Sequence, residues 1–302
     1  MFTHGHSRIV GVGVYTPEKC VASSEIMEYL DSENRFGIAT DWLEKVMGVR
    51  ERRVSADDWL PSDLAVPAAT DALDDAELLP KDLDAIIYAG AVRDYIEPAT
   101  GHVVQEKLGA HNAIAFDVSN ACLGFMNAIH LMDALIATGQ ARRGLVVSGE
   151  QGFRNTINAY EVLLKSHDRD VFMNLVAGLT LGDAGAALVL GPKIDPDTGL
   201  RGIMVRSKGE HYRLCVCGYR ENETVMQTDM TAIVAETAKL VETMFADLTH
   251  KLNWKPEDIG LYVPHQVGRK GLQIHMAITR VPKARIPNSV ETMGNVISAS
   301  VP

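Results

Sequence analysis

The sequence predicts an α/β protein built from two related halves, and three observations carry that reading. Short runs of β-branched and apolar residues alternate with amphipathic helical stretches, the pattern of strands interleaved with helices. A similar connector occurs twice: LLPKDLDAIIYAG and NWKPEDIGLYVPH each pass from a helix end through a proline and acidic residues into an apolar run. The chain has 302 residues, long for one simple core, so two domains or a duplicated one are expected.

Taken in order, residues 7–14 read as a strand closed by the turn at Thr16-Pro17, and residues 62–75 as a helix. Residues 83–89 (LDAIIYA) read as a buried strand. A helix over 100–108 is expected to stop at Gly109. Residues 113–118 (AIAFDV) form the next strand, followed by a helical pattern from about Cys122 to Thr138. Residues 144–148 and 184–190 read as strands. Proline, aspartate and glycine then cluster over 192–199, which places the boundary between an N-terminal half, 1–192, and a C-terminal half, 193–302. The second half opens with a long helical pattern over 231–252 and continues into an expected strand at 260–263.

Composition excludes several classes. Hydrophobic residues at 46% and charged residues at 23% describe a soluble globular chain rather than a disordered or fibrous one. A formal net charge of -10 disfavours non-specific attraction to nucleic acid or to an anionic membrane. No stretch approaches the roughly 20 apolar residues that span a bilayer, and the N-terminus lacks the pattern of a secretory signal. Four cysteines are too few and too irregularly placed for a disulfide framework. Cys215 and Cys217 lack partners at zinc-site spacing, so they are expected as neighbours on one strand. A cytoplasmic enzyme in a reducing compartment fits these features.

Three segments could carry chemistry. In FDVSNACLGFMNAIHLMDAL, Cys122 falls where a strand gives way to a helix. The first-turn N–H groups of a helix are unsatisfied, so their partial positive charge can stabilise a thiolate or receive an oxyanion. Ala121 and Gly124 are small enough for close approach of a substrate. A buried, inert cysteine is the plainer reading of the same segment. In GLYVPHQVGRKG, His265 ends an apolar run, where sites of α/β proteins collect; a hydrogen-bonded structural histidine is its alternative. In ETMGNVISASVP, Asn295 offers a side-chain amide donor, or simply a turn.

The ordered set ACLGF, LGDAGAALVLG, HQ and MGNVISASVP resembles the β-ketoacyl-acyl-carrier-protein synthase III family of the thiolase superfamily. GVGVYTP near the start and GVRER at 48–52 match as well, so the resemblance covers nearly the whole chain. It implies a five-layered αβαβα fold, a homodimer, and a catalytic set at Cys122, His265 and Asn295. An acyl group from acyl-CoA would be held on Cys122. His265 and Asn295 would both donate hydrogen bonds to the carbonyl of a second thioester, on coenzyme A or acyl carrier protein, as its α-carbon becomes nucleophilic. A malonyl thioester is one such second substrate, and no metal or redox cofactor is implied. The resemblance also implies that further strands and a glycine-rich loop would follow Pro302, so the second half is expected to be incomplete at its end.

Within the family the loop VRDYIEPATGHVVQ carries Glu97 where an aromatic residue is usual. This resembles the acyl-CoA-condensing enzymes of long-chain olefin biosynthesis, in which a glutamate reaches into the partner's site. Glu97 would then remove an α-proton without decarboxylation, or else cap the helix beginning after Pro98. Trp42 is a candidate to stack on the adenine of coenzyme A, and Arg269 and Lys270 to meet its phosphates. Gly268 and Val46 stand where the family has an asparagine and an arginine, which alters the expected coenzyme A contacts. A thioester hydrolase using the same cysteine, and a non-catalytic partner subunit, are the competing classes. The joint presence of Cys122, His265 and Asn295 argues against the second.

Overall fold

The computed structural model describes residues 1–220 and 223–302. Five strands, β1 (Ser7–Tyr15), β2 (Ala85–Tyr88), β3 (Ile114–Asp117), β4 (Gly144–Gln151) and β5 (Asp183–Pro192), form one mixed sheet in the order β1-β5-β4-β2-β3. β2 runs parallel to β3 and β4, whereas β5 is antiparallel to both β4 and β1. Every residue of β4 is buried, as a central strand must be when both faces of its sheet are covered by helices. The sheet and its flanking helices make an α/β thiolase-like fold.

Helix α1 (Pro61–Asp75) covers one face with an alanine stripe, Ala65, Ala68, Ala69 and Ala72, packed on Ile86, Val147 and Val189. Small side chains bring its backbone down onto the strands. A Cβ at Gly149 or Gly185 would run into the carbonyl oxygen of Pro61 or Leu64, so these two strand glycines are required by close approach. Helix α2 (Thr100–Leu108) precedes β3. Helix α3 (Gly124–Ala137) covers the opposite face through Phe125, Ala128, Ile129 and Met132.

The two edges of the sheet differ. On β1 the N–H groups of Val12 and Val14 donate to the carboxylates of Asp75 and Asp71, which occupies donors that could pair with another strand. β3 has β2 as its neighbour on one side and none on the other among the described residues.

The repeated connectors fold alike. Pro80–Asp82 and Pro256–Asp258 are both 3-10 turns. Asp82 accepts from the Leu79 N–H at 3.0 Å, and Asp258 from the Lys255 N–H at 2.8 Å. The likeness ends there. Residues 260–263 do not form the expected strand: among the described residues no strand lies beside them, and Tyr262 N–H instead donates to the Arg285 carbonyl. An extended segment becomes a strand only through a neighbour's ladder.

The second half presents helices α4 (Met230–Leu252) and α5 (Arg269–Thr279), packed together. Phe2–His4 pairs antiparallel with Gly202–Met204, a contact that joins the N-terminus to the start of the second half. No helix among the described residues is long and apolar enough to cross a membrane.

Candidate active site

The site begins where β3 ends. Ala121 takes a left-handed backbone conformation, φ 44°, unusual for a residue with a side chain. The chain then turns through a 3-10 segment, Ala121–Leu123, before α3 starts at Gly124. Cys122 therefore stands on the turn in front of the helix, which starts two residues later than the helix expected from about Cys122. Gly124 serves the scaffold rather than a substrate, because a Cβ there would press on the Ala89 carbonyl oxygen at the end of β2.

Cys122, His265 and Asn295 line one cavity of about 350 Å³. Met226, Met230, Ile233, Val234, Val267 and Ile274 supply an apolar wall from α4, α5 and their approaches. Such a lining suits an aliphatic chain, with the few polar groups fixing its reactive end.

Burial pushes the Cys122 thiol up to about 12, with the Glu150 carboxyl and Cys215 adding to the effect. The helix start was expected to lower it. A dipole at a helix terminus is a partial charge, and here desolvation of a full thiolate outweighs it. The resting group is the thiol. His265 is pushed down to about 4, first by burial and then by the nearby His275, so its ring is neutral at pH 7 with one donor and one acceptor nitrogen. Its Nδ1 lies 2.9 Å from Ser300 Oγ. Its Nε2 is buried without a protein partner among the described residues.

Asn295 is held firmly. Its N–H donates to the Thr180 carbonyl and its own carbonyl accepts from Gly182 N–H. Its Oδ1 accepts from Ile297 N–H at 2.9 Å, which orients the side chain and leaves the Nδ2 amide as the donor available to the cavity.

Behind these groups stands Glu150, a residue sequence reasoning missed. It is fully buried on β4 and pushed up to about 7 by burial. Its carboxyl receives the N–H groups of Ala91 and Val92 at 2.8 and 3.3 Å, together with the N–H and hydroxyl of Ser298. Ser148 Oγ lies 2.7 Å from Ser298 Oγ. Glu150 thus ties the segment leading toward Glu97 to the turn that follows Asn295. The signal available in sequence was an acidic residue inside an otherwise uncharged buried strand, GLVVSGEQ. Cys215 and His275 also line the cavity without having been singled out for it.

The remaining candidates lie elsewhere in the chain. Glu97 is exposed, between the exposed Ile96 and Pro98, and lines none of this cavity. It does not cap α2: the first-turn N–H groups of Thr100 and Gly101 donate to Asp117 at 2.9 and 2.7 Å. The capping alternative for Glu97 is therefore wrong, since Asp117 at the end of β3 already fills that role. Trp42 packs edge-on to Phe172, 6.4 Å between ring centres, within the apolar cluster around Leu43 and Phe36. Arg269 donates to the carbonyls of Lys45 and Glu44 at 2.6 and 3.3 Å, so its charge serves the end of a helical turn. It borders a cleft of about 190 Å³ with Lys283 and Asn288. Lys270 is exposed.

Residues 116–209 match the family profile described as 3-Oxoacyl-[acyl-carrier-protein (ACP)] synthase III, and residues 249–302 match its C-terminal counterpart. The chain is 28% identical to a β-ketoacyl-[acyl-carrier-protein] synthase III of Clostridium perfringens, covering 98% of this chain and 88% of that protein. It is 33% identical to an acyl-CoA:acyl-CoA alkyltransferase of Xanthomonas campestris pv. campestris, covering 97% and 87%. Cerulenin-bound OleA from Xanthomonas campestris superposes with a TM-score of 0.91 at 30% identity, over 99% of this chain and 87% of that one. A cysteine-to-serine variant of OleA holding lauric acid and lauroyl-CoA gives the same TM-score and identity, over 99% and 89%.

Proposed function

Because the chain belongs to the β-ketoacyl-[acyl-carrier-protein] synthase III family of the thiolase superfamily, and so is an acyltransferase of the condensing type acting on acyl thioesters, we propose that it makes a β-ketoacyl product through an acyl group held on Cys122. The observation that carries this reading is the convergence of Cys122, His265 and Asn295, distant in sequence, on one apolar cavity. The acyl chain lies against the apolar wall with its carbonyl at Cys122. Sulfur attacks that carbonyl, the bond to coenzyme A breaks, and the departing sulfur takes up a proton. A malonyl thioester then presents its carbonyl oxygen to the Asn295 amide, which stabilises the enolate left when the bond to the malonyl carboxylate breaks and carbon dioxide departs. The enolate carbon attacks the acyl-cysteine, and the Cys122 sulfur leaves. Incubation with an acyl-CoA alone, then with a malonyl thioester, followed by mass spectrometry, tests the sequence of events. An acyl-enzyme that converts to a β-ketoacyl product supports it, whereas release of free fatty acid as the sole product indicates a hydrolase.

A second form of the reaction joins two acyl-CoA molecules without decarboxylation, and the surroundings of Glu97 favour it. Its carboxylate is exposed and has no hydrogen bond or ion pair among the described residues, while Asp117 does the capping. Its neighbours Tyr95 and Ile96 are exposed apolar side chains, and Ile96 is 83% exposed. The edge strand β3 carries an exposed Ile114. In this reading a second copy of the chain covers that edge, and Glu97 enters the partner's cavity as the base for the α-proton. The likeness to the acyl-CoA:acyl-CoA alkyltransferase supports it.

A further inference from the structure

We propose that Ser300 fixes His265 in the tautomer protonated on Nδ1, so that Nε2 faces the cavity as acceptor of the Cys122 thiol proton during acyl transfer. The proposal rests on the reading of Cys122 as the acyl carrier, and it starts from one hydroxyl proton. Ser300 Oγ lies 2.6 Å from the Ile297 carbonyl oxygen and 2.9 Å from His265 Nδ1. The carbonyl can only accept. Two oxygens at that separation need a proton between them, so the Ser300 hydroxyl is spent on Ile297. What it offers His265 is a lone pair, and Nδ1 must therefore donate. A neutral imidazole has one N–H, which leaves Nε2 with its lone pair bare.

The rest of the turn holds Ser300 to this task. Ile297 has φ 52°, a strained conformation for a β-branched residue. Asn295 Oδ1 secures the Ile297 N–H. Ser298, between Ile297 and Ser300, is anchored by its N–H and hydroxyl on buried Glu150. Strain is stored where the Ile297 carbonyl is aimed at Ser300, and the surrounding bonds maintain it.

Nε2 is the one buried polar atom of His265 left without a partner among the described residues, and His265 shares its cavity with Cys122. In acyl transfer the thiol proton moves from Cys122 Sγ to His265 Nε2 as the Sγ–carbonyl carbon bond forms. The bond from that carbon to the sulfur of coenzyme A then breaks, and the same proton passes from Nε2 to the leaving sulfur. Charge and protons balance without any further reactant. A consequence corrects the expectation of two donors: Asn295 Nδ2 is the donor available to a substrate carbonyl in the resting enzyme, and His265 becomes one only while it carries the transferred proton. Ser300 is a positioning residue in this scheme, since it acts through His265.

Two measurements on the whole chain test the proposal. With ¹⁵N-histidine labelling, two-bond ¹H–¹⁵N spectra at neutral pH, assigned through His265→Asn, should show a protonated Nδ1 and a bare Nε2. Ser300→Ala should shift the ring toward the other tautomer, and Ser300→Thr, which keeps the hydroxyl, should restore it. In single turnovers with lauroyl-CoA, acylation of Cys122 should slow by roughly 10²-fold in Ser300→Ala, the scale of general-base contributions, and recover in Ser300→Thr. A protonated Nε2 in the unaltered protein overturns the tautomer assignment. A changed tautomer in Ser300→Ala with undiminished acylation overturns the proton-acceptor role. An unaltered protein with the stated tautomer that no acyl-CoA acylates contradicts the proposed function instead.

Discussion

Replacing Glu150 by glutamine should make the protein's stability less sensitive to pH, and the size of the change follows from the burial of that carboxyl. Its pKa is raised from its ordinary 4.5 to about 7, chiefly by desolvation. In the unfolded chain the group is ionised above pH 4.5, whereas in the fold it keeps its proton up to about pH 7. The folded state thus binds the extra proton, and stability falls as pH rises through that interval. Below it the penalty is absent, and above it the penalty is fully expressed. At about 1.36 kcal/mol per pH unit, the loss amounts to roughly 3 kcal/mol. Glutamine keeps the shape and one acceptor oxygen for Ala91 and Ser298, and it cannot ionise. Urea unfolding of both proteins at pH 5 and pH 8 measures the effect. Glu150→Gln should gain on the unaltered protein by roughly 3 kcal/mol between the two conditions. A difference that stays constant with pH would refute the argument, because it would mean that Glu150 is ionised throughout.

The other expectations concern the chemistry. Asn295→Ala should retain Cys122 acylation while condensation falls by about 10² to 10³-fold, the usual cost of losing one oxyanion donor; quench-flow measurement of both steps decides it, and an equal loss in each contradicts the role. Glu97→Gln should leave acylation intact and slow the joining of two acyl-CoA molecules by about 10² to 10⁴-fold, yet spare reaction with a malonyl thioester, where loss of carbon dioxide makes the carbanion. Equal loss with both second substrates would point to a structural Glu97. Because burial raises the Cys122 thiol to about 12, its alkylation by iodoacetamide in the resting protein should climb with pH through 8, 9 and 10 without a plateau, each on the order of tenfold per unit. A plateau near neutral pH would show a preformed thiolate.

Much of the first half was legible because its signals are local. Strands such as 144–148 carry no charged residue since helices cover both faces, and Gly109 does end α2, with φ 72°. The matched connectors were also legible, as each proline and aspartate makes its own capped turn. Residues 260–263 were misread because pairing depends on a neighbour that a local pattern does not specify. The triad of Cys122, His265 and Asn295 came from the order of motifs, and its meeting in one cavity agrees with that order. What could not be read were quantities set by three-dimensional burial. The helix start was visible beside Cys122, but the desolvation that overrides it was not. Ser300 was hidden for a related reason: its role depends on a hydroxyl placed between Ile297 and His265, residues 32 positions apart in a sequence that names neither as its partner. Glu97 illustrates the converse, since its exclusion as a cap required knowing that Asp117 reaches the start of α2.

The central claim is that Cys122 carries an acyl group on its way to a new carbon–carbon bond. Intact-mass measurement after mixing the protein with lauroyl-CoA, followed by a chase with a second thioester, tests it most directly. A single lauroyl adduct should form, be absent in Cys122→Ser, and disappear during the chase as a β-ketoacyl product accumulates. An adduct that persists in Cys122→Ser, or one that the chase releases only as lauric acid, would contradict the account.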